Sequence, residues 1–363
     1  MNFVKRFSAA MALIMSMYIL MSSPLYAYLE RMREAGIESG RMKNVSVYMP
    51  QSRGGEQAET APSPTQELPQ HVVSTMRGEE TVSDGAAYAE TIPAIAITQT
   101  LQSGKEVVET TIEGGLAIKN QTGYKADVGQ LLVNGPGLVL PEGAPQILII
   151  HTHSSEAYMP AGLDKYDPTD ESRTEDTQYN IVRVGDELTA VLEQAGLNVI
   201  HDRGLYDYPS YTGSYTRSGQ AIADWLAEYP SIKMVLDVHR DALGENGIVY
   251  KTMAEEEGVC ASQVMLLVGT DESGLAHSGW RGNLALAVYL QQAVSTAHPT
   301  LMRPVLLVPQ RYNQHLTPGS MIIEVGSSGN TLQEALAAVR LFGESAGAAL
   351  AGLVAPAGET ALE

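Results

Sequence analysis

His151, His153 and Glu156 close the aliphatic run Ile147–Ile150 in the stretch "ILIIHTHSSEAYMP". A second apolar run, "MVLDV", ends in His239-Arg240-Asp241, and a third, "MII", ends in Glu324-Val325-Gly326. Imidazoles and carboxylates are the protein ligands of a catalytic zinc, which takes three such donors and keeps a fourth position for water. His153 and Glu156 are three residues apart, so a turn or a first helical turn points both to one side. With His239 from another strand end they make a His2Glu set. If strand geometry persists through Thr152, His151 and His153 face the same way. Either can then be the ligand and the other a supporting or transition-state-stabilising group, although the spacing to Glu156 favours His153. Glu324 fits the proton acceptor and donor that amide hydrolysis needs beside a metal.

Other polar residues near these ends have less definite roles. Asp237 stands two before His239, where it either orients that imidazole or serves the strand. Arg240 either grips a substrate carboxylate bidentately or pairs with Asp241. His277, Trp280 and Asn283 fall in a predicted loop before a helix, and His315 lies in "RYNQHLTPGS"; capping and packing are their default roles.

Bringing strand ends together requires a sheet, and the pattern supplies one. From Gln146 onward short apolar runs alternate with helical periodicity, which predicts an α/β fold with a central mixed or parallel sheet flanked by helices. Ligands in such sheets gather outside the carboxyl ends of the strands. Strands are predicted in "ILII", "LNVIHD", "IKMVLDV", "SQVMLLVGT", "VLLVP" and "SMIIEVG". Val184, Leu188, Val191, Leu192 and Ala195 share one helical face, with Gly196 placed as a C-terminal cap. Ser218 is the expected cap of a helix carrying Ile222, Trp225 and Leu226. Thr331-Leu-Gln-Glu334 is a capping-box pattern ahead of Leu336, Val339 and Phe342.

The catalytic domain is assigned to residues 146–355. Residues 96–145 read as a small β lead-in, with "GGLAIKN", "VGQLLVNG" and "GLVLPEG" as short strands. Residues 30–95 are rich in Glu, Ser, Gln, Pro and Gly without periodicity and read as a flexible tether. Residues 1–29 place Lys5 and Arg6 ahead of an uncharged apolar stretch of about 23 residues, enough to cross a bilayer core. An uncleaved single-pass anchor with the remainder extracytoplasmic is favoured over a signal peptide, whose apolar core is shorter. The formal net charge of −19 argues against nucleic acid as a partner. The single cysteine, Cys260, excludes an internal disulfide and a cysteine-built metal site.

The ordered series "HTHSSEAY", "NIVRVGDELTAVLEQAGLNVIHDR", "DYPSYTGSYTRS", "YPSIKMVLDVHRDA" and "RYNQHLTPGSMIIEVGSSGNTLQEA", together with the N-terminal segment, resembles the stage II sporulation protein P family. The resemblance implies a membrane-anchored cell-wall hydrolase with a fold related to zinc N-acetylmuramoyl-L-alanine amidases. It implies cleavage of the amide between muramic acid and L-alanine and an added endopeptidase activity on peptide cross-links. Stage II sporulation proteins D and M would be its partners in forespore engulfment. Carried over by motif, His153, Glu156 and His239 would hold zinc and Glu324 would be the catalytic acid/base. Ser154 and Ser155 follow the histidines where the related amidases are commonly Gly-rich, so the analogy does not choose between His151 and His153. Two alternatives stand beside it: a non-catalytic module that binds peptidoglycan or scaffolds partners, and a zinc carboxypeptidase of stem peptides.

Overall fold

Runs such as Ile147–Ile150 and Met234–Leu236 are apolar at every position because both of their faces are covered, as strands paired in parallel usually are. The computed structural model describes residues 105–161, 165–166, 172–245 and 248–355. Contacts divide the chain into Met1–Ile92 and Pro93–Glu363, and every element below belongs to the second unit. The expected anchor and tether lie outside the described residues. No helix among the described residues is long and apolar enough to cross a membrane.

In chain order the strands are β1 (Lys105–Thr110), β2 (Ile118–Asn120), β3 (Leu140–Pro141), β4 (Ile147–Ile150), β5 (Lys165–Tyr166), β6 (Val199–His201), β7 (Met234–Asp241), β8 (Gly244–Glu245), β9 (Ile248–Glu256), β10 (Val259–Ser262), β11 (Val264–Gly269), β12 (Val305–Val308), β13 (Gly319–Ser327) and β14 (Val354–Ala355). The helices are α1 (Val128–Asn134), α2 (Ile181–Gln194), α3 (Ser214–Glu228), α4 (Trp280–Ala297) and α5 (Leu332–Ala351).

The main sheet has seven strands in the order β2-β12-β11-β13-β7-β4-β6. Only the β11–β13 pair is antiparallel, so the sheet is mixed. A second sheet runs β10-β9-β1-β5, with β8 on β9, and β3 pairs with β14. Within 105–145, β1 joins the second sheet beside β9 and β2 forms an edge of the main sheet beside β12. The segment "VGQLLVNG", expected as a strand, is instead the helix α1. Asp127 caps it, accepting from Gln130 N at 3.0 Å, and Gly135 ends it at φ 69°.

Alternation sorts the main sheet into two faces. Ile147, Ile149, Met234, Leu236, Val238, Met321 and Ile323 point to one core, shared with Leu188 and Leu192 of α2, Leu284 of α4 and Leu336 and Phe342 of α5. Leu148, Ile150 and Val235 point the other way, against Ile222 and Trp225 of α3. Each such aliphatic side chain taken from water contributes roughly 1.5–3 kcal/mol, so a one-residue register slip, which would exchange the faces, is strongly disfavoured. Thr331 and Glu334 form the predicted capping box, with Glu334 Oε2 accepting from Thr331 N at 3.0 Å. Ser218 is not a cap. The helix α3 begins four positions earlier at Ser214, after Gly213 at φ 83°, and Ser218 faces inward from its second turn.

Candidate metal centre and its carboxyl neighbour

After Ile150 the chain leaves the strand and turns, with Glu156 N donating to His153 O at 3.1 Å. This turn sends the two histidines in different directions. His153 swings toward β7, where its ring stands nearly perpendicular to that of His239, centroids 5.1 Å apart. His151 stays under α2, its Nδ1 2.8 Å from Val238 O and its Nε2 2.8 Å from His201 Nε2. Gly185 of α2 leaves room for that histidine pair, because a Cβ there would run into both rings. Burial pushes His151 down to about 3 and His201 down to about 4, so both rings are neutral at neutral pH.

The ligand atoms of His153, Glu156 and His239 all lie within 4.8 Å of one another. Glu156 Oε1 is 3.6 Å from His153 Nδ1, and Glu156 Oε2 is 3.5 Å from His239 Nδ1. Burial opposes ionisation of Glu156, but the Arg240 cation and the two imidazoles outweigh it and hold the carboxyl well below the usual range. Burial likewise disfavours a charged His239, yet Asp237 and Glu156 raise it well above its ordinary value. His153 Nε2 is buried without a hydrogen-bond partner among the described residues. Two imidazoles, one anionic carboxylate and an uncommitted buried nitrogen fit a divalent cation of borderline softness.

Supports around the cluster fix its geometry. Asp237 Oδ1 lies 2.9 Å from His239 Nε2, and Asp237 in turn accepts from Thr152 N at 2.8 Å and Thr152 Oγ1 at 2.6 Å. Ser218 continues this line, its Oγ 2.7 Å from Thr152 Oγ1, which explains its inward position in α3. Arg240 neither pairs with Asp241 nor faces solvent: its backbone N donates to Glu156 Oε2, and its buried guanidinium holds Ala157 O and Ser172 O. Asp241 pairs with Arg303 instead, at 2.8 Å. On the other flank Arg173 grips Asp207 at 2.7 Å while Ser155 Oγ donates to the same carboxylate at 2.6 Å.

Glu324 enters from β13. The parallel register aligns it with His239 of β7, so both side chains rise from the same sheet face. Just beyond, the register shifts before Ser327, and Gly326 takes φ 66°, a conformation that favours glycine. Burial first, and the Asp241 carboxylate second, push Glu324 up to about 8. Its Oε2 is buried and without a hydrogen-bond partner among the described residues.

Two aromatic residues that the strand-end argument did not reach belong to the site. Tyr211 stacks on His153 at 4.5 Å and 25°, and Tyr215 meets the same ring edge-on at 5.4 Å. Both come from "DYPSYTGSYTRS", whose tyrosine spacing is the signal available in the sequence. His277, Asn283 and His315 are not part of the cluster; Trp280 and Asn283 open α4 rather than the loop before it. The string Gly343-Glu344-Ser345-Ala346-Gly347 matches a G-x-S-x-G pattern, but it lies inside α5, where its glycines admit Val191 and Ala195 of α2, and not on a strand-to-helix elbow.

A mixed α/β unit that gathers two imidazoles and a carboxylate beside a protonatable carboxyl has the ligand chemistry of metal-dependent hydrolases. A family model described as Stage II sporulation protein P matches residues 49–345. The chain belongs to the stage II sporulation protein P family. The Stage II sporulation protein P of Bacillus subtilis (strain 168) is 27% identical over 217 residues, covering 54% of this chain and 50% of that protein, so the chain matches about half the length of this curated relative. Among solved structures, the N-acetylmuramyl-L-alanine amidase Ami1 of Mycobacterium smegmatis is 12% identical, covers 60% of this chain and 98% of its own, and superposes with a TM-score of 0.34. The CwlD amidase of Clostridioides difficile, solved with the GerS lipoprotein, is 12% identical, covers 55% and 95%, and gives 0.32. The family assignment rests on the family match and not on these superpositions.

Proposed function

We propose that this chain is a zinc-dependent peptidoglycan hydrolase of sporulation, an N-acetylmuramoyl-L-alanine amidase with His153, Glu156 and His239 as metal ligands and Glu324 as acid/base. The observation that carries the reading is the convergence of three ligand atoms within 4.8 Å, with Glu324 aligned beside His239 by the strand register. When bound, zinc would polarise the scissile carbonyl and bring the pKa of water toward 7. The protein's own groups do the rest. Glu324 takes a proton from the attacking water and returns one to the leaving nitrogen, as a positioned general acid/base does. Asp237 faces the His239 ring as its charge partner at 2.9 Å, and Thr152 holds Asp237. Arg240 N–H and Arg173 keep the Glu156 carboxylate oriented.

Endopeptidase action, partnership with stage II sporulation proteins D and M, and an N-terminal membrane anchor with the catalytic unit outside the membrane are supported by the family assignment and by the apolar stretch in residues 7–29. The test is mass spectrometry of fragments released from defined peptidoglycan with and without chelator. Chelator-sensitive release of peptides with a free L-alanine amino end supports the amidase. Free D-amino acids would replace it with a carboxypeptidase, and binding without fragments would replace it with a non-catalytic module.

A further inference from the structure

Amide hydrolysis places negative charge on the carbonyl oxygen as water adds, and a site that accelerates it aims a hydrogen-bond donor at that oxygen. The charged donors around the cluster are committed elsewhere. Arg240 serves Glu156 and two backbone carbonyls, Arg303 serves Asp241, and Arg173 serves Asp207. The Tyr158 hydroxyl donates to Val325 O at 2.9 Å.

Tyr215 is different. It stands in the first turn of α3 and is half-buried, its ring edge-on to His153 at 5.4 Å and tilted against Tyr312 at 5.3 Å. Its backbone carbonyl is fixed by Asn313 Nδ2 at 2.9 Å, which also reaches Ser218 Oγ at 3.1 Å and so ties this turn to the Thr152–Asp237–His239 line. The ring is therefore held from two sides, yet its hydroxyl makes no hydrogen bond to another described residue and is not sealed in the interior.

We propose that the Tyr215 hydroxyl is a catalytic hydrogen-bond donor to the scissile carbonyl oxygen in the transition state of amide cleavage. The proposal rests on the amidase reading above. In the step, the oxygen of water joins the carbonyl carbon and the C–N bond breaks. Glu324 carries one proton from the water to the leaving nitrogen, giving a carboxylic acid and an amine. Tyr215 keeps its own proton throughout; it only shares it with the oxygen while charge is present there.

The test compares the zinc-loaded parent protein with Tyr215→Phe, which keeps the ring contacts and removes the hydroxyl alone. With a defined muropeptide, kcat should fall about 10²-fold with KM unchanged, as for loss of one oxyanion donor. Zinc affinity and melting temperature should match the parent's. A phosphinate analogue of the scissile amide, which places a charged oxygen where the oxyanion forms, should lose affinity by a similar factor. Retention of kcat within about threefold, or a fall in kcat that follows loss of zinc, overturns the proposal while leaving the amidase reading in place. Absence of turnover by the parent protein overturns both.

Discussion

Replacing Glu324 by Gln removes one ionisable proton and almost no volume, so its two consequences separate chemistry from stability. In the metal-free protein the carboxyl is pushed from an ordinary 4.5 to about 8, chiefly by burial and by Asp241. A group raised this way binds its proton more tightly in the folded chain than in the unfolded one. Stability therefore falls as pH rises from about 4.5, where the unfolded carboxyl ionises, to about 8, where the folded one follows, and it is level beyond. At 1.36 kcal/mol for each unit, the displacement from 4.5 to about 8 sets an upper bound of about 5 kcal/mol on the destabilisation at alkaline pH. Gln at position 324 carries no such penalty. The melting temperature of chelated Glu324→Gln relative to parent should thus climb between pH 5 and pH 8, measured by calorimetry at matched ionic strength. Hydrolysis by the zinc-loaded variant should fall by about 10²–10⁴, with zinc content unchanged, if Glu324 moves the proton. A melting difference independent of pH would refute the raised pKa, and a variant with parental activity would refute the acid/base role.

Three further outcomes follow from the same geometry. His153→Ala should abolish zinc binding, whereas His151→Ala should retain stoichiometric zinc and lower stability by about 2–4 kcal/mol through loss of a buried hydrogen-bonded ring; metal analysis and denaturant melts read both. Because His239 is held well above its ordinary pKa, metal must displace a proton there. Zinc affinity should rise about tenfold per pH unit across the range where His239 remains protonated in the metal-free protein and level off above it, as titration calorimetry at several pH values would show. Gly185→Ala should cost about 1–3 kcal/mol, because the added methyl meets His151 and His201, and it should leave zinc stoichiometry intact.

Residue types and local periodicity carried much of this arrangement in the sequence. The apolar runs that became β4, β7, β11, β12 and β13, the buried face of α2 and the capping box of α5 are short-range patterns, and each formed where its pattern lay. The cluster's members were legible because ligand-type side chains at the ends of aliphatic strands are chemically unusual. Where local signals competed, the reading failed: "VGQLLVNG" is apolar enough for a strand, but Asp127 and Gly135 bracket it as a helix. Ser218 has the chemistry of a cap and was drawn inward by Thr152.

What the sequence determined by itself was that two strand-end histidines, a glutamate three residues on and an acidic partner from a late strand were available to one site. Tertiary structure decided which histidine joins it. The period-2 rule that would align His151 with His153 ends at Ile150, and the turn that follows sends one ring under α2 and the other toward His239. The pairing of His239 with Glu324, and the approach of Tyr215 from α3 to His153, likewise depend on strand register and helix docking. Those are contacts between segments far apart in the chain, set by how the two faces of the sheet are buried, and no local pattern encodes them.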